Sequence, residues 1–147
     1  MASTPEQAAP GTSTPVEVRR TGDHRFTATN GRGGRVDIGR DGAPDAFTPG
    51  ELLLAAIASC SAVTSENLLV RRVGPDAGFA VRADRTKAAE DPNKFESVRV
   101  GFDVDLGAVA EGDRAKLLDA VERAIERYCT VSRSVQEGTP ISLDLPR

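Results

Sequence analysis

Residues 48–64 read TPGELLLAAIASCSAVT, and this stretch decides the fold. Residues 52–58 are all apolar, which is typical of a helix that is buried on every side. Pro49 stands at the first helical position and Thr48 before it can act as N-cap, so together they predict where the helix begins. We expect a long buried central helix with Cys60 near its middle.

Small side chains surround Cys60 in the sequence. They are Ala55, Ala56, Ala58, Ser59, Ser61 and Ala62. Because small residues let other backbones approach closely, we expect the Cys60 thiol to lie in a confined pocket.

The composition limits the class of protein. The 147 residues are enough for one domain with its own core, and 19 basic against 22 acidic residues give a formal charge of -3. This mild acidity argues against a nucleic-acid partner or an anionic membrane surface. We find no apolar run of membrane-spanning length and no signal peptide, so a cytoplasmic location is the default expectation.

The cysteine and histidine content predicts neither a metal site nor a secreted disulfide framework. The chain has two cysteines, Cys60 and Cys129, and one histidine, without a CxxC motif. In a reducing compartment, such a cysteine pair is either structural or a redox device. We therefore predict no metal and no cofactor.

The remaining sequence predicts one α+β domain with antiparallel sheets around the central helix. Residues 1–15 predict a flexible N-terminal tail, and residues 16–147 predict the domain. Three strands precede the helix, and two strands follow it, with the clearest period-two alternation in residues 98–106. An amphipathic helix then ends at Cys129.

The C-terminal residues predict a helical turn and one more strand. The turn covers residues 131–137, with Thr130 as its cap and Gly138 as its stop. Ile141, Leu143 and Leu145 alternate with polar residues and predict the final strand.

A sheet of about six short strands can shield only part of a helix that is apolar all round. A second subunit is the simplest cover for the rest of its surface. We therefore expect a homodimer with the Cys60 helix near the interface.

The two cysteines support more than one interpretation. A thiol does redox chemistry as its thiolate, and an arginine that folds over Cys60 would lower its pKa. If the sulfurs lie within disulfide reach, one could be oxidised by a peroxide and condense with the other. Free cysteines are nevertheless usually small buried hydrophobes, so the residues alone do not establish an enzyme.

Two motifs resemble the cysteine motifs of the OsmC/Ohr family, which comprises osmotically inducible protein C and organic hydroperoxide resistance protein. They are PGELLLAA leading into SCSA within residues 49–62, and RYCTVSR at residues 127–133. The order of elements from about residue 16 to the end is also similar to the family's. Within the family, the chain is more similar to the uncharacterised OsmC-like branch than to either named type.

The resemblance implies a fold and an activity. The implied fold is OsmC-like, an intertwined homodimer with two long central helices. The implied activity is thiol-dependent reduction of organic hydroperoxides, with Cys60 as the peroxidatic cysteine and Cys129 as the resolving cysteine. The implied reductant is a dithiol, for example of lipoyl type, and no prosthetic group is implied.

The resemblance also implies a catalytic glutamate and arginine, and here the chain departs from the family pattern. The glutamate that directly follows the helix-initial proline in characterised members is Gly50 here, and the acid is Glu51. One position along a helix is a rotation of about 100°. Arg40 stands at a spacing similar to the OsmC type, and Arg25 at one similar to the Ohr type.

Two other functions stay open at this point. The first is a non-catalytic module that binds a small hydrophobic ligand beside the central helix. The second is a structural dimer with inert thiols. Both alternative functions stay open because Glu51 is displaced from the family position and no single arginine matches the family's catalytic arginine.

Overall fold

The computed structural model describes residues 15–146, so the tail predicted for residues 1–15 lies outside the described residues, except for Pro15. The elements are β1 (Glu17–Gly22), β2 (Arg25–Thr29), β3 (Arg35–Ile38), α1 (Pro49–Val73), β4 (Ala80–Lys87), β5 (Phe95–Asp103), α2 (Glu111–Tyr128) and α3 (Thr130–Glu137). Every strand ladder is antiparallel. The predicted α+β class with antiparallel sheets is confirmed.

The chain forms two compact units, the first ending at Leu52 and the second beginning at Leu53. In the first unit, β2 is the central strand of a three-stranded sheet, with β1 and β3 on either side. Phe26 on β2 pairs with Arg20 on β1 and with Ile38 on β3. The polar connection that follows β3 leads to the start of α1.

Helix α1 begins at a capping box. The main-chain N–H of Glu51 donates to Thr48 Oγ1 at 3.1 Å, and the main-chain N–H of Thr48 donates to Glu51 Oε1 at 3.0 Å. Thr48 is therefore the N-cap, as predicted. The helix ends at Val73, and Gly74 follows with a φ of +105°, a backbone conformation that only glycine adopts without strain.

Within one chain, α1 is buried along a single stripe. The buried side chains are Ile57, Ser61, Ser65 and Leu69, spaced four residues apart on one face. Val63, on another face, is 73% exposed. One chain therefore covers only part of the helix, as expected, and burial on every side stays a prediction that needs a second subunit. The amino-acid composition shows how much apolar surface the helix has. The other elements of the same chain cover only one side of the helix.

The second unit packs α2 through its apolar face. Leu117 and Val121 on α2 form a buried cluster with Leu69 of α1 and Val109, and Phe102 of β5 packs against this cluster. Strands β4 and β5 form a two-stranded ladder along their whole length. The predicted amphipathic helix is confirmed. It ends at Tyr128, one residue before the predicted end at Cys129.

The residues after α3 do not form the predicted final strand. Gly138 has a φ of 74° and ends α3, as predicted, but residues 139–146 are in neither a helix nor a strand. Ile141 is 96% exposed and Leu143 is 81% exposed. A strand needs a neighbour that pairs with its main-chain groups, and the alternation of side chains alone does not supply one.

By length and composition, α1 could also cross a membrane. Its most apolar stretch has a mean hydropathy of 1.5, so the expectation of no apolar run of membrane-spanning length is wrong on this criterion. One such helix is weak evidence for a membrane span, because the core helix of a soluble protein has the same length and composition.

Candidate active site

Cys129 is the single residue between α2 and α3. Its main-chain N–H donates to the carbonyl of Ile125 at 3.0 Å, and its own carbonyl accepts the N–H of Arg133 at 3.0 Å. Cys129 is thus the C-cap of α2 and the N-cap of α3, whereas the sequence predicted Thr130 as the cap. These bonds hold the backbone of Cys129 on both sides, so the position of its side chain is well defined.

The Cys129 sulfur is wholly buried among polar groups. The hydroxyl of Ser132, one turn into α3, lies 3.2 Å from Cys129 Sγ. Ser61 of α1 is 1% exposed, and both Ser61 and Cys60 help to lower the pKa of Cys129. The second unit therefore brings the two cysteines together with two serines.

This environment changes the acidity of Cys129. Burial raises the pKa of the thiol, because it disfavours the charged form. Hydrogen bonds from the Ser132 hydroxyl, Cys60, the Ser132 amide and Ser61 stabilise that form and outweigh the burial, so the pKa of Cys129 lies below its ordinary value. The site thus makes Cys129 more acidic than an ordinary thiol.

Cys60 is the more accessible of the two thiols. It is half-buried on α1, and both cysteines are free. Cys60 directly precedes Ser61, one of the stripe residues on the buried face of α1. A small molecule from solvent would therefore reach Cys60 more readily than Cys129.

Two cavities with apolar walls are lined in part by serines that neighbour the cysteines in the sequence. The larger has a volume of about 440 Å³, and the smaller has a volume of about 370 Å³. Val98 and Val100 of β5 and Ser132 of α3 line both cavities, and Ser61 lines the larger. The cavities are large enough for a small organic molecule, and they present apolar side chains with a few polar groups.

Arg133 reinforces the corner that holds Cys129. Its Nη1 donates to the main-chain carbonyl of Arg127 at 3.0 Å, and its Nη2 lies 3.8 Å from Glu137 Oε1. The carbonyl of Arg127 is one of those at the C-terminus of α2 that lack a partner within the helix. Arg133 therefore ties α3 to the end of α2.

Glu51, Arg25 and Arg40 belong to the first unit, and each has a local partner there. The Glu51 carboxylate is part of the capping box. Both terminal nitrogens of Arg25 donate to the carbonyl of Pro44, at 3.2 Å and 3.1 Å. Arg40 is exposed, and its carbonyl accepts the N–H of Ala43 at 2.9 Å. The catalytic roles that the resemblance implies for these three residues stay predictions.

A pair of substitutions separates the two possible roles of Glu51. Glutamine can take the place of glutamate in a capping box, so Glu51→Gln is expected to keep most of the stability, whereas Glu51→Ala is expected to lose about 0.5–1 kcal/mol. Urea unfolding measures the loss. If the carboxylate charge also serves catalysis, Glu51→Gln loses activity without losing stability; equal activity in Glu51→Gln and the parent protein contradicts the catalytic role.

The sequence analysis missed Ser132 as a site residue and treated Ser61 only as a small side chain. A usable sign was present for Ser132. It stands three positions after Cys129, and at the start of a helix this spacing places a side chain over the cap residue. Ser61 had no comparable sign, because its contact depends on how α1 meets the α2–α3 corner.

Within residues 15–146, no group of three or more histidine, cysteine, aspartate or glutamate side chains is arranged to hold a metal ion.

Comparison with known proteins places these features in a family. The family model described as OsmC-like protein matches residues 41–144. An uncharacterised protein of Mycobacterium tuberculosis is 34% identical over 132 residues, which cover 90% of this chain and 96% of the relative.

Solved structures with this fold come from several bacteria. An OsmC-like protein from Mycoplasma pneumoniae aligns with a TM-score of 0.63 at 12% identity, over 88% of this chain and 90% of that one. The organic hydroperoxide resistance protein OhrB of Bacillus subtilis aligns with a TM-score of 0.53 at 20% identity, over 86% and 93%. The fold matches these structures, and the family model and the mycobacterial relative show that the chain belongs to the OsmC-like protein family.

Proposed function

We propose that this protein reduces organic hydroperoxides with Cys60 and Cys129 as a redox pair. The observation that carries the proposal is the buried Cys129 thiol, which is hydrogen-bonded to Ser132 and whose pKa is lowered in part by the half-buried Cys60. Membership in the OsmC-like family, with an organic hydroperoxide resistance protein among the structures of the same fold, supports a peroxide-related stress function. Two thiols that can reach each other are the minimum that a disulfide-forming cycle needs.

The first step takes place at Cys60. Its thiolate attacks the terminal oxygen of the hydroperoxide, the O–O bond breaks, and the alcohol leaves after taking up a proton. Cys60 becomes a sulfenic acid and the peroxide is reduced by two electrons. The half-buried position of Cys60 makes it the entry point, because Cys129 is closed to solvent.

The second step closes the disulfide. The Cys129 thiolate attacks the Cys60 sulfur, an S–S bond forms, and the hydroxyl leaves as water after protonation. An outside dithiol, for example of lipoyl type, then reduces the disulfide and becomes a disulfide itself. This cycle requires a reducing compartment, and the cytoplasm remains our expectation.

The cavities support an organic substrate. Their walls include Val98, Val100 and Phe102 of β5, which favour apolar groups over water. A hydroperoxide with an apolar body can place that body against β5 in the larger cavity, whose lining also includes Ser61 and Ser132. Arg25 or Arg40 remains our candidate for the cation that favours the Cys60 thiolate.

We also propose that the protein works as a homodimer. The exposed Val63 on α1 and the exposed apolar residues Ile141, Leu143 and Leu145 leave apolar surface uncovered in one chain. A second copy related by twofold symmetry would cover this surface on both partners at once. The same surface on α1 would otherwise face water.

The cavities favour one alternative function, which is binding of a small hydrophobic ligand without chemistry. Ligand binding of this kind requires the apolar cavity walls but no reaction between the two thiols. It predicts that an apolar molecule binds and that both thiols stay reduced.

A thiol count tests the proposed function against this alternative. Reduced protein treated with one equivalent of cumene hydroperoxide is expected to lose two thiols for each peroxide consumed, because one disulfide forms. Peptide mapping is expected to find Cys60 joined to Cys129. Cumyl alcohol is the matched control, since it has a similar shape and no O–O bond. Unchanged thiols with bound peroxide would support the binding function and reject the enzyme.

A further inference from the structure

We propose that Ser132 is a positioning residue that holds the sulfur of Cys129 as a thiolate, ready to attack the oxidised Cys60 and to leave when the disulfide is reduced. The effect on the two reaction steps rests on the proposed function. The hydrogen bond between Ser132 and the Cys129 sulfur rests on the geometry alone.

The geometry of the corner directs the Ser132 hydroxyl at the sulfur. Cys129 caps α3 and Ser132 stands one turn later, so the two side chains lie on the same side of the helix. Their Sγ and Oγ atoms are 3.2 Å apart. While the thiol is protonated, its S–H donates to the hydroxyl; after ionisation, the hydroxyl turns and donates to the sulfur.

Burial makes this hydroxyl important. A wholly buried thiolate has no water to stabilise it, so its charge depends on donors supplied by the protein. Ser61 is the other hydroxyl near the sulfur, and it is itself buried. Ser132 has the described hydrogen bond to the sulfur. The N-terminus of α3 favours the negative charge and the C-terminus of α2 opposes it, so the hydroxyl is the donor on which the thiolate depends.

The other ionisable groups around the site carry charges of both signs. They are Cys60 on α1, Glu96 on β5, Glu122 and Glu126 on α2, and Arg133 on α3, and all except Cys60 line the cavities beside Ser132. The carboxylates oppose a thiolate and Arg133 favours one. The Ser132 hydroxyl acts at hydrogen-bond distance, so its removal is separable from these longer-range effects.

The inferred role applies to two bond changes. In the first, the Cys129 thiolate forms the S–S bond with Cys60 and the hydroxyl group of the sulfenic acid leaves. In the second, the thiolate of an outside dithiol attacks the Cys60 sulfur, the S–S bond breaks, and Cys129 leaves with the electron pair. A thiol with a lower pKa leaves faster, so the same hydroxyl assists both steps.

A titration tests the positioning without relying on peroxidase activity. In a Cys60→Ser background only Cys129 remains, and the ultraviolet absorbance of its thiolate can be followed against pH. Adding Ser132→Ala is expected to move the midpoint up by about one pH unit, because the thiolate loses a charge-assisted hydrogen bond. Ser132→Thr keeps a hydroxyl and is expected to restore most of the midpoint.

The kinetic test uses the protein with both cysteines. After oxidation of Cys60, Ser132→Ala is expected to slow disulfide closure about threefold near neutral pH, because a tenfold loss of thiolate exceeds the gain in nucleophilicity. The rate of Cys60 oxidation is expected to stay the same. The pH profile of closure moves upward with the titration midpoint.

Ser134→Ala is the matched control, since Ser134 lies on the same helix but on another face. It is expected to change neither the midpoint nor the closure rate. An unchanged midpoint in Ser132→Ala would overturn the inference, whatever the protein does with peroxides. If the ionisation midpoint of Cys129 shifts but the protein does not consume peroxide, the inferred role of Ser132 is supported and the proposed function is rejected.

Discussion

Replacing Cys60 with serine is expected to reduce hydroperoxide consumption to the level of buffer, whereas replacing Cys129 is expected to leave a single turnover. Serine has nearly the shape of cysteine, but its hydroxyl does not form the nucleophile that attacks an O–O bond. In Cys129→Ser the attack still occurs, and the sulfenic acid at Cys60 has no protein thiol to condense with. The two variants therefore fail at different steps.

Rapid mixing with cumene hydroperoxide distinguishes these failures. Cys129→Ser is expected to consume one equivalent in a burst and to react with a sulfenic-acid trap at Cys60, while Cys60→Ser gives neither a burst nor a trapped adduct. Ser59→Ala, next to Cys60 on the exposed side of α1, serves as the folding control. Full turnover in Cys60→Ser would reject Cys60 as the peroxidatic residue. A burst in that variant would transfer the role to Cys129.

Placing a carboxylate at Val63 is expected to separate the proposed dimer. Val63 is 73% exposed in one chain, and the homodimer proposal covers it with the partner. A buried and unpaired charge costs about 3 kcal/mol or more, which weakens association by about a hundredfold or more. Twofold symmetry repeats the cost, because each partner brings its own carboxylate.

Sedimentation over a range of protein concentrations measures this effect. The parent protein is expected to sediment as a dimer and Val63→Asp as a monomer at the same concentration. Val16→Asp makes the same change at a residue of the first unit that is 67% exposed, and it is expected to leave the dimer intact. A parent protein that is monomeric throughout, or a Val63→Asp dimer of unchanged affinity, contradicts the proposal.

The start of α1 was predictable because its determinants are local. Thr48 and Glu51 satisfy each other's main-chain groups within four residues, and no distant contact is required. The amphipathic spacing of α2 was predictable for a similar reason, since one face of the helix carries the apolar residues. The alternation in β5 predicted a strand correctly, although the ladder begins at Phe95, earlier than the alternation suggested.

The predictions that failed depend on distant partners. The alternation of Ile141, Leu143 and Leu145 satisfies the pattern of a strand, but the pattern cannot show which main-chain groups pair with it. The apolar faces of α1 show how much surface needs cover, but not which element covers it. The effect of Ser61 on the pKa of Cys129 joins residues far apart in the sequence, so only the fold reveals it.

The disulfide proposed between Cys60 and Cys129 would affect unfolding as well as chemistry. A disulfide there would close a loop of about 70 residues that contains β4, β5 and α2, and such a loop removes chain entropy worth about 4 kcal/mol from the unfolded state. The protein oxidised by a peroxide would thus have a higher free energy of unfolding than the reduced protein. The dithiol that resets the cycle would return the chain to its more easily unfolded form.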